Sequence, residues 1–173
     1  MPKFNSKAVL LVRLSEAELS DLNNFDCNDE EMNKFLRDEA LLEQETGMNC
    51  TVLLYYYGEL TAFCSICCDS IPLSRRERKD EDISAAYKVP SIKIARIGRS
   101  VKYKEYGFGR FLIDYVKDIA FELGTSRLGV RFLTLDAYPN RFEYYQSLGF
   151  IRNEALKTSP NGNISMRADI FEE

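Results

Sequence analysis

Lys104-Glu105-Tyr106-Gly107-Phe108-Gly109-Arg110 is the stretch whose reading decides the fold. The apolar run Ile92-Lys93-Ile94-Ala95-Arg96-Ile97 precedes it and has the length of a buried strand. After it, Phe108, Phe111, Leu112, Tyr115, Val116, Ile119, Ala120 and Leu123 recur at the period of a helix with one buried face. Gly124 is the expected stop. A glycine-bearing turn therefore joins a strand to a helix. The first N–H groups of a helix lack intrahelical partners, and its dipole is positive there. Glycine allows a bulky anion close to that backbone. The local chemistry is that of a phosphate site.

With 173 residues, 45% hydrophobic and 29% charged, the chain suits one domain, 1–173, with a substantial core. It has no apolar run near the ~20 residues of a membrane span. Met1-Pro2-Lys3-Phe4-Asn5-Ser6-Lys7 lacks the apolar core of a signal peptide. The five cysteines do not form a disulfide framework, so a reduced, cytoplasmic protein is expected. The absence of histidine excludes Ser-His-Asp and Cys-His triads and His-ligated zinc. Any general base must be a carboxylate, Lys, Tyr, Cys or water. Charge is unevenly spread. Residues 71–110 carry 11 Lys+Arg against 5 Asp+Glu, a local +6, within a chain of net −4. That segment reads either as a solvated mixed-charge loop or as a basic rim for a phosphorylated ligand.

Elsewhere the pattern is strand-like at Ala8–Arg13. A helix opens at Phe25–Glu31 with Asn28 or Asp29 as N-cap, and Met32, Phe35, Leu36, Ala40 and Leu42 form its apolar face. Thr51–Tyr57, a Gly58-Glu59 turn and Leu60–Cys68 read as a hairpin. Pro72–Asp82 reads as a mobile surface insertion. Strand Val130–Asp136, a short helix Arg141–Ser147 and a last strand within 164–171 complete the chain. The order is β, α, β-hairpin, β, α, β, α, β, a mixed α/β sheet flanked by helices.

The glycine turn lacks the Gly-Lys-Ser/Thr of a Walker loop, and Leu112 stands where a dinucleotide fingerprint needs its third glycine. Residues 104–109 resemble the coenzyme A pyrophosphate loop of the GNAT superfamily of N-acetyltransferases, Gln/Arg-x-x-Gly-x-Gly/Ala. Downstream, Tyr144-Tyr145-Gln146-Ser147-Leu148-Gly149-Phe150 resembles the family signature Phe-Tyr-x-x-x-Gly-Phe. Asp136-Ala137-Tyr138-Pro139-Asn140 resembles its strand-to-helix corner. Phe25-Asp26-Cys27, Met32-Asn33-Lys34-Phe35-Leu36 and Ala40-Leu41 are similar to the subgroup containing tRNA-acetylating toxins.

The resemblance implies a mainly antiparallel sheet (α+β, GNAT type) with a V-shaped split between two parallel strands. Acetyl-CoA is the implied cosubstrate, with its pyrophosphate on the N–H groups of Lys104, Glu105, Tyr106, Gly107, Phe108, Gly109 and Arg110. Its pantetheine would pair with Ile97, Gly98 and Arg99, and Asn140 would touch it. An amine would attack the thioester directly. An N–H near Ile97 would stabilise the oxyanion, and Tyr145 would protonate the leaving thiolate. Two residues depart from the family. Arg99 stands at a usually apolar place. Glu105 replaces a frequent glycine and brings negative charge toward the pyrophosphate, partly offset by Lys104 and Arg110.

Cys64, Cys67 and Cys68 lie on one strand and read as small buried side chains, so no metal is expected. Tyr55-Tyr56-Tyr57 reads as a strand with one aromatic face buried. The acceptor is expected to be a small-molecule, peptide or aminoacyl amine. Nucleic acid is not favoured, because the pI is near 5.1. Exposed strand edges would allow a homodimer. Two other functions remain open: a toxin-like aminoacyl-tRNA acetyltransferase, and a coenzyme-binding module without catalysis.

Overall fold

The computed structural model describes residues 4–84 and 88–172. The first three residues of the N-terminal stretch and residues 85–87 of the basic segment lie outside the described residues. A seven-stranded sheet runs in the order β1-β2-β3-β4-β5-β7-β6. Its strands are β1 (Val9–Arg13), β2 (Cys50–Tyr56), β3 (Glu59–Pro72), β4 (Lys88–Arg99), β5 (Phe132–Ala137), β6 (Ile151–Arg152) and β7 (Ile164–Asp169). The helices are α1 (Leu19–Leu22), α2 (Glu30–Lys34), α3 (Ala40–Glu45), α4 (Arg75–Asp80), α5 (Phe108–Ser126) and α6 (Phe142–Gln146). Most strand pairs are antiparallel. Two compact units are present: Met1–Cys67 with Ile94–Tyr115, and Cys68–Lys93 with Val116–Glu173. Among the described residues no helix is long and apolar enough to cross a membrane.

In the first unit β1, β2 and β3 pair in antiparallel register, Leu11 opposite Leu54 and Leu53 opposite Phe63. The hairpin turn is Tyr57-Gly58, not Gly58-Glu59. Both residues have positive φ, 49° and 79°, and Glu59 pairs with Tyr56. That is the twist a two-residue hairpin requires. Tyr57 is thus an exposed turn residue, while Tyr55 is buried.

Asp29 is the cap of α2, its side chain accepting from the Met32 N–H, while Asn28 takes a positive φ of 59°. Between α2 and α3 the chain makes one π-helical turn, Phe35–Glu39, closed by Ala40 N–H to Phe35 O. A π turn inserts one extra residue into the helical repeat. This moves Leu42 off the apolar face that simple periodicity assigns it, and it is 63% exposed. Phe35, Leu36 and Ala40 stay in the core with Leu14, Leu22, Phe25, Leu53 and Phe63. Gln44 clips α3 to the sheet, donating to Leu14 O (2.8 Å) and accepting from Thr51 N–H (3.0 Å). Both ends of a buried amide are thereby satisfied.

In the second unit the start of β4 runs parallel to β5. Arg131 N–H donates to Pro90 O, the Thr134 hydroxyl to Ile92 O, and Lys93 meets Asp136, so both numberings rise together. β5, β7 and β6 are antiparallel, with Leu135 opposite Met166 and Ile151 opposite Arg167. The β6 strand is too short to show as a sequence pattern. Helix α5 runs through Gly124 to Ser126, past its expected stop.

Residues 72–82 are not a mobile insertion. Ser74 and Glu77 form a capping box that starts α4. Glu77 and Glu81 turn inward onto Arg167: Glu77 Oε1 lies 2.7 Å from Nη1, and Glu81 Oε1 lies 2.9 Å from Nη2. Asn153 Oδ1 accepts from the same Nη1 at 3.0 Å. Arg167 is 2% exposed and Glu77 4%. Acceptors meet its Nε, Nη1 and Nη2, and the Phe132 ring lies beside the guanidinium, 5.4 Å from centroid to carbon, which makes its burial tolerable.

Replacing Arg167 with Met strands the buried Glu77 carboxylate and leaves half-buried Glu81 with Arg131 alone. One-sided loss of a buried pair costs about 3–5 kcal/mol, which urea unfolding should register. A loss below about 1 kcal/mol, the range of an exposed pair, would show that Arg167 does not hold α4. The variant also tests pH linkage. Burial raises the Glu77 carboxyl, but the Ser74 and Glu154 N–H groups, the Ser74 hydroxyl and Arg167 outweigh it and hold it below its ordinary value. The stability it contributes is therefore present above the ordinary carboxyl pKa and is lost as pH falls through the lowered one. The Met variant should show a shallower loss in that acid window.

Candidate functional site

In the first unit, the end of β4 carries Ile97, Gly98 and Arg99. A Cβ on Gly98 would lie 2.5 Å from Phe63 Cε1, so the buried ring demands glycine there. Beyond the strand, Ser100 N–H donates to Thr61 O (2.8 Å) and Val101 N–H to Asp26 O (2.9 Å). The Asp26 carboxylate accepts from Asn28 N–H and from Asn33 Nδ2, which hold it below its usual range.

A single 3-10 turn follows at Val101–Tyr103. Glu59, next to the hairpin turn, accepts from Lys102 Nζ (2.8 Å) and from the Tyr103 hydroxyl (2.7 Å). That bond to Glu59, helped by burial, pushes the Tyr103 phenol up to about 12. Aromatic rings hold the rest of the loop. Tyr106 stacks on Phe108 with centroids 5.6 Å apart, and Phe108 is completely buried against Phe4 (4.7 Å) and Tyr56 (5.2 Å).

Gly107 then takes φ +87°, with nothing within 4 Å of the place a Cβ would occupy. Its carbonyl accepts from Phe111 N–H at 3.1 Å. The N–H groups of Phe108, Gly109 and Arg110 thus precede the first helical bond of α5. This open, positive end fits a phosphate group. Lys104 and Glu105 are exposed, and exposed Arg110 lies 3.6 Å from Asp114. Water and salt therefore screen Glu105.

In the second unit, Asp136 accepts from Lys93 Nζ at 2.6 Å. Pro139 opens a 3-10 turn, Pro139–Arg141, and Asn140 is exposed on it. Helix α6 follows and carries Tyr145. The spacing Tyr-x-x-x-Gly-Phe has a direct physical meaning here. Phe150 N–H donates back to Tyr145 O (3.1 Å) and Gly149 N–H to Gln146 O (3.0 Å), with Gly149 at φ +87°. These are the two bonds of a Schellman helix end. The Tyr145 and Phe150 rings make the accompanying apolar contact at 5.9 Å. Lys117 on α5 donates to Leu148 O (2.9 Å) and lies over the Phe150 ring. Burial, more than any neighbour, pushes the Tyr145 phenol up to about 12.

The structure therefore gathers Ile97, Gly98, Arg99 and the residues from Lys104 to Arg110 in the first unit, and Asn140 and Tyr145 in the second. Sequence reasoning missed Glu59, Asp26 and Lys117. Each acts across a large sequence separation, which local patterns do not record. Of the three cysteines expected to be buried, Cys64 is, and burial raises its thiol to about 12, but Cys67 is half-buried and Cys68 exposed, because the strand runs on out of the core beyond Cys64.

A strand-to-helix glycine turn and a Schellman-closed tyrosine helix on this mixed sheet define a class, the GNAT fold. No family model matches the chain, and neither does any curated protein. Solved structures do. A Tyr-to-Phe mutant of the toxin AtaT, bound to the C-terminus of the antitoxin AtaR and acetyl-CoA, is similar with TM-score 0.75 and 18% identity over 94% of each chain. AtaT complexed with acetyl-methionyl-tRNAfMet gives 0.77 and 17%, over 90% of this chain and 93% of that one. A Tyr-to-Phe mutant of KacT gives 0.79 and 16%, over 94% and 95%.

Gly107 generates a local test. Its positive φ costs a side-chain-bearing residue about 1–2 kcal/mol. Gly107→Ala should lower stability by that amount, because the site has open space for a methyl. A loss well beyond it, measured by urea unfolding, would mean that packing rather than backbone conformation sets the turn.

Proposed function

We propose that the chain is an acetyl-CoA-dependent N-acetyltransferase acting on a primary amine, with residues 1–173 serving as one catalytic domain. The observation that carries this reading is the open helix start at Gly107, its amides ahead of the first helical bond, on a GNAT fold. In this reading the N–H groups from Lys104 to Arg110 hold the pyrophosphate. The backbone of Ile97, Gly98 and Arg99 pairs with the pantetheine, and Asn140 touches the cosubstrate. The substrate amine attacks the thioester carbonyl, forming the C–N bond. Ile97 N–H stabilises the oxyanion. As the C–S bond breaks, Tyr145 gives its proton to the departing thiolate, and the amine proton passes to water.

The acceptor follows from what the chain lacks. With no histidine, it offers no imidazole to deprotonate an ammonium near neutral pH. An α-amino group is about a quarter neutral at physiological pH, whereas a lysine ε-amine is neutral in about one molecule per thousand. The chemistry therefore favours a low-pKa α-amine. The AtaT complex with acetyl-methionyl-tRNAfMet supports the second reading, a toxin-like enzyme acetylating aminoacyl-tRNA. An antitoxin-like protein partner and nucleic acid belong to that reading, since AtaT with AtaR and a KacTA–DNA complex share the fold. A coenzyme-binding module without catalysis would release no thiol from acetyl-CoA with any amine or charged tRNA.

Tyr145→Phe should lower kcat by about 10²–10⁴, the worth of a positioned general acid, and leave acetyl-CoA affinity intact. Unchanged turnover would remove Tyr145 from the mechanism. Because the phenol sits at about 12, it stays a proton donor throughout the ordinary range, and its loss would lower the rate only at more alkaline pH. A wild-type kcat profile falling with an apparent pKa of about 9–10, in a limb absent from the Phe variant, would contradict that assignment.

A further inference from the structure

A cavity of about 260 Å³ opens in the first unit, between the end of α1, the hairpin turn and the residue after β4. Phe25 and Leu60, each 7% exposed, give it apolar lining. Its polar lining includes the carboxylates of Asp21 and Glu59 and no cation. Ser100 also lines it and is only 5% exposed. The Ser100 N–H donates to Thr61 O and its carbonyl accepts from Arg99 Nη1, but among the described residues its hydroxyl has no hydrogen-bond partner. Gly98, two residues earlier, faces Phe63 in the core that also holds Phe25. Residues two apart on an extended chain share a face, so the Ser100 hydroxyl points toward the Phe25 side, where the cavity lies. A buried hydroxyl left without a protein partner is uncommon and marks a place for a ligand or water.

The two carboxylates are fixed but not used up. Asp21 Oδ2 accepts from the Tyr55 hydroxyl at 2.8 Å, and among the described residues no lysine or arginine pairs with it. Burial, and then the bond to Asp21, raise the Tyr55 phenol, so it remains the donor of that pair. Lys102 and Tyr103 hold the Glu59 carboxyl below its ordinary value, so it remains ionised. An ionised carboxylate offers about four lone-pair positions, so both groups can accept further donors. Lys102 and Arg99 are the nearby cations, and neither lines the cavity. The lining therefore carries a negative charge that the protein leaves in part unpaired. Its volume lies just below the range of drug-sized ligands, so its occupant is small.

We propose that this cavity binds a small organic ammonium ion, its head on Asp21, Glu59 and the Ser100 hydroxyl and its alkyl stem on Phe25 and Leu60. An ammonium has three donors and no acceptor, which matches two carboxylates and a hydroxyl oxygen. An anion would meet like charge on both sides, and a neutral alcohol would leave the carboxylates without a counter-charge. A short apolar stem below a charged head suits a lining of aromatic and aliphatic carbon. The site lies apart from the amides at Gly107, and it stands whether or not the chain transfers acetyl groups. A free amine and the lysine side chain of a partner share this chemistry.

The probe is n-butylamine, with n-butanol and butyrate as its neutral and anionic counterparts. Nuclear magnetic resonance of the isotope-labelled full chain follows the amides of Gly58, Leu60 and Ser100. Butylamine should shift them saturably, while butanol and butyrate shift them little. Asp21→Asn keeps an acceptor for the Tyr55 hydroxyl and should weaken butylamine binding on the order of 10-fold, the worth of a hydrogen bond to a charged group. Ser100→Ala should weaken it about 2- to 10-fold, the worth of a neutral one, and decides the matter alone if the Asn variant does not fold. Either of two results upholds the site and names its source: tighter binding of Nα-acetyl-lysine N-methylamide assigns it to a partner's lysine, and tighter binding of butylamine to a free amine. Equal binding of butylamine and butanol, or unchanged affinity in the variants, overturns the proposal. So do weak shifts spread evenly over the acidic surface, which would show only a cation drawn to a chain of net −4.

Discussion

Backbone amides that have no partner inside their own helix are the constraint on which the first unit depends. At the start of α5 the N–H groups of Phe108, Gly109 and Arg110 precede the first helical bond, and Gly107 leaves the space above them open. Buried amides without partners would be costly, so such a site must either face water or hold an anion. Everything next to it works to keep the turn from collapsing. Glu59 takes Lys102 and Tyr103 on its two oxygens, and the Phe4, Tyr56, Tyr106 and Phe108 rings pack beneath. A loop fixed by an exposed carboxylate and by rings packed on buried Phe108 would lose little ordering entropy on binding an anion.

The second unit solves a related problem with charge. Arg167 and Glu77 are buried together with Glu81 half-buried beside them, and the Ser74 capping box and Glu154 N–H supply the remaining hydrogen bonds of Glu77. The same side chain that caps α4 also fastens it. This explains how a strongly polar stretch becomes ordered structure: Glu77 and Glu81 turn inward onto Arg167, while Arg75, Arg76, Lys79, Asp80 and Asp82 stay exposed.

Much of this was readable from local pattern. Strands β2 and β3, the apolar face of α5, the N-cap Asp29 and the glycine turn all follow from periodicity and turn chemistry, because each is decided within a few residues. The Tyr145–Phe150 spacing was also legible, since a Schellman end is a local device. What stayed hidden depends on distant partners. Residues 72–82 look like a loop until Arg167, some ninety positions later, accounts for their carboxylates. Leu42 looks buried until the π turn shifts the register by one. Tyr57 looks like part of the strand until the positive φ at two successive residues moves the turn. Glu59 reads as a turn residue and Asp26 lies in the Phe25-Asp26-Cys27 motif, but their bracing contacts, like that of Lys117, were hidden because the partners lie on distant segments.

Glu105, the departure from the GNAT pattern in the glycine turn, tests how much a single charge matters. Two exposed charges interact weakly through water, and salt weakens them further. The amides and helix dipole of α5, by contrast, act at contact distance on whatever sits above Gly107. A carboxylate on the outer edge of the turn is thus outweighed by a set of dipoles on its inner face. The same comparison separates Arg110 from Arg96. Arg110 is exposed beside Asp114, so water and a neighbour already satisfy much of its charge. Arg96 is held against Phe35 with a buried, unpaired N–H.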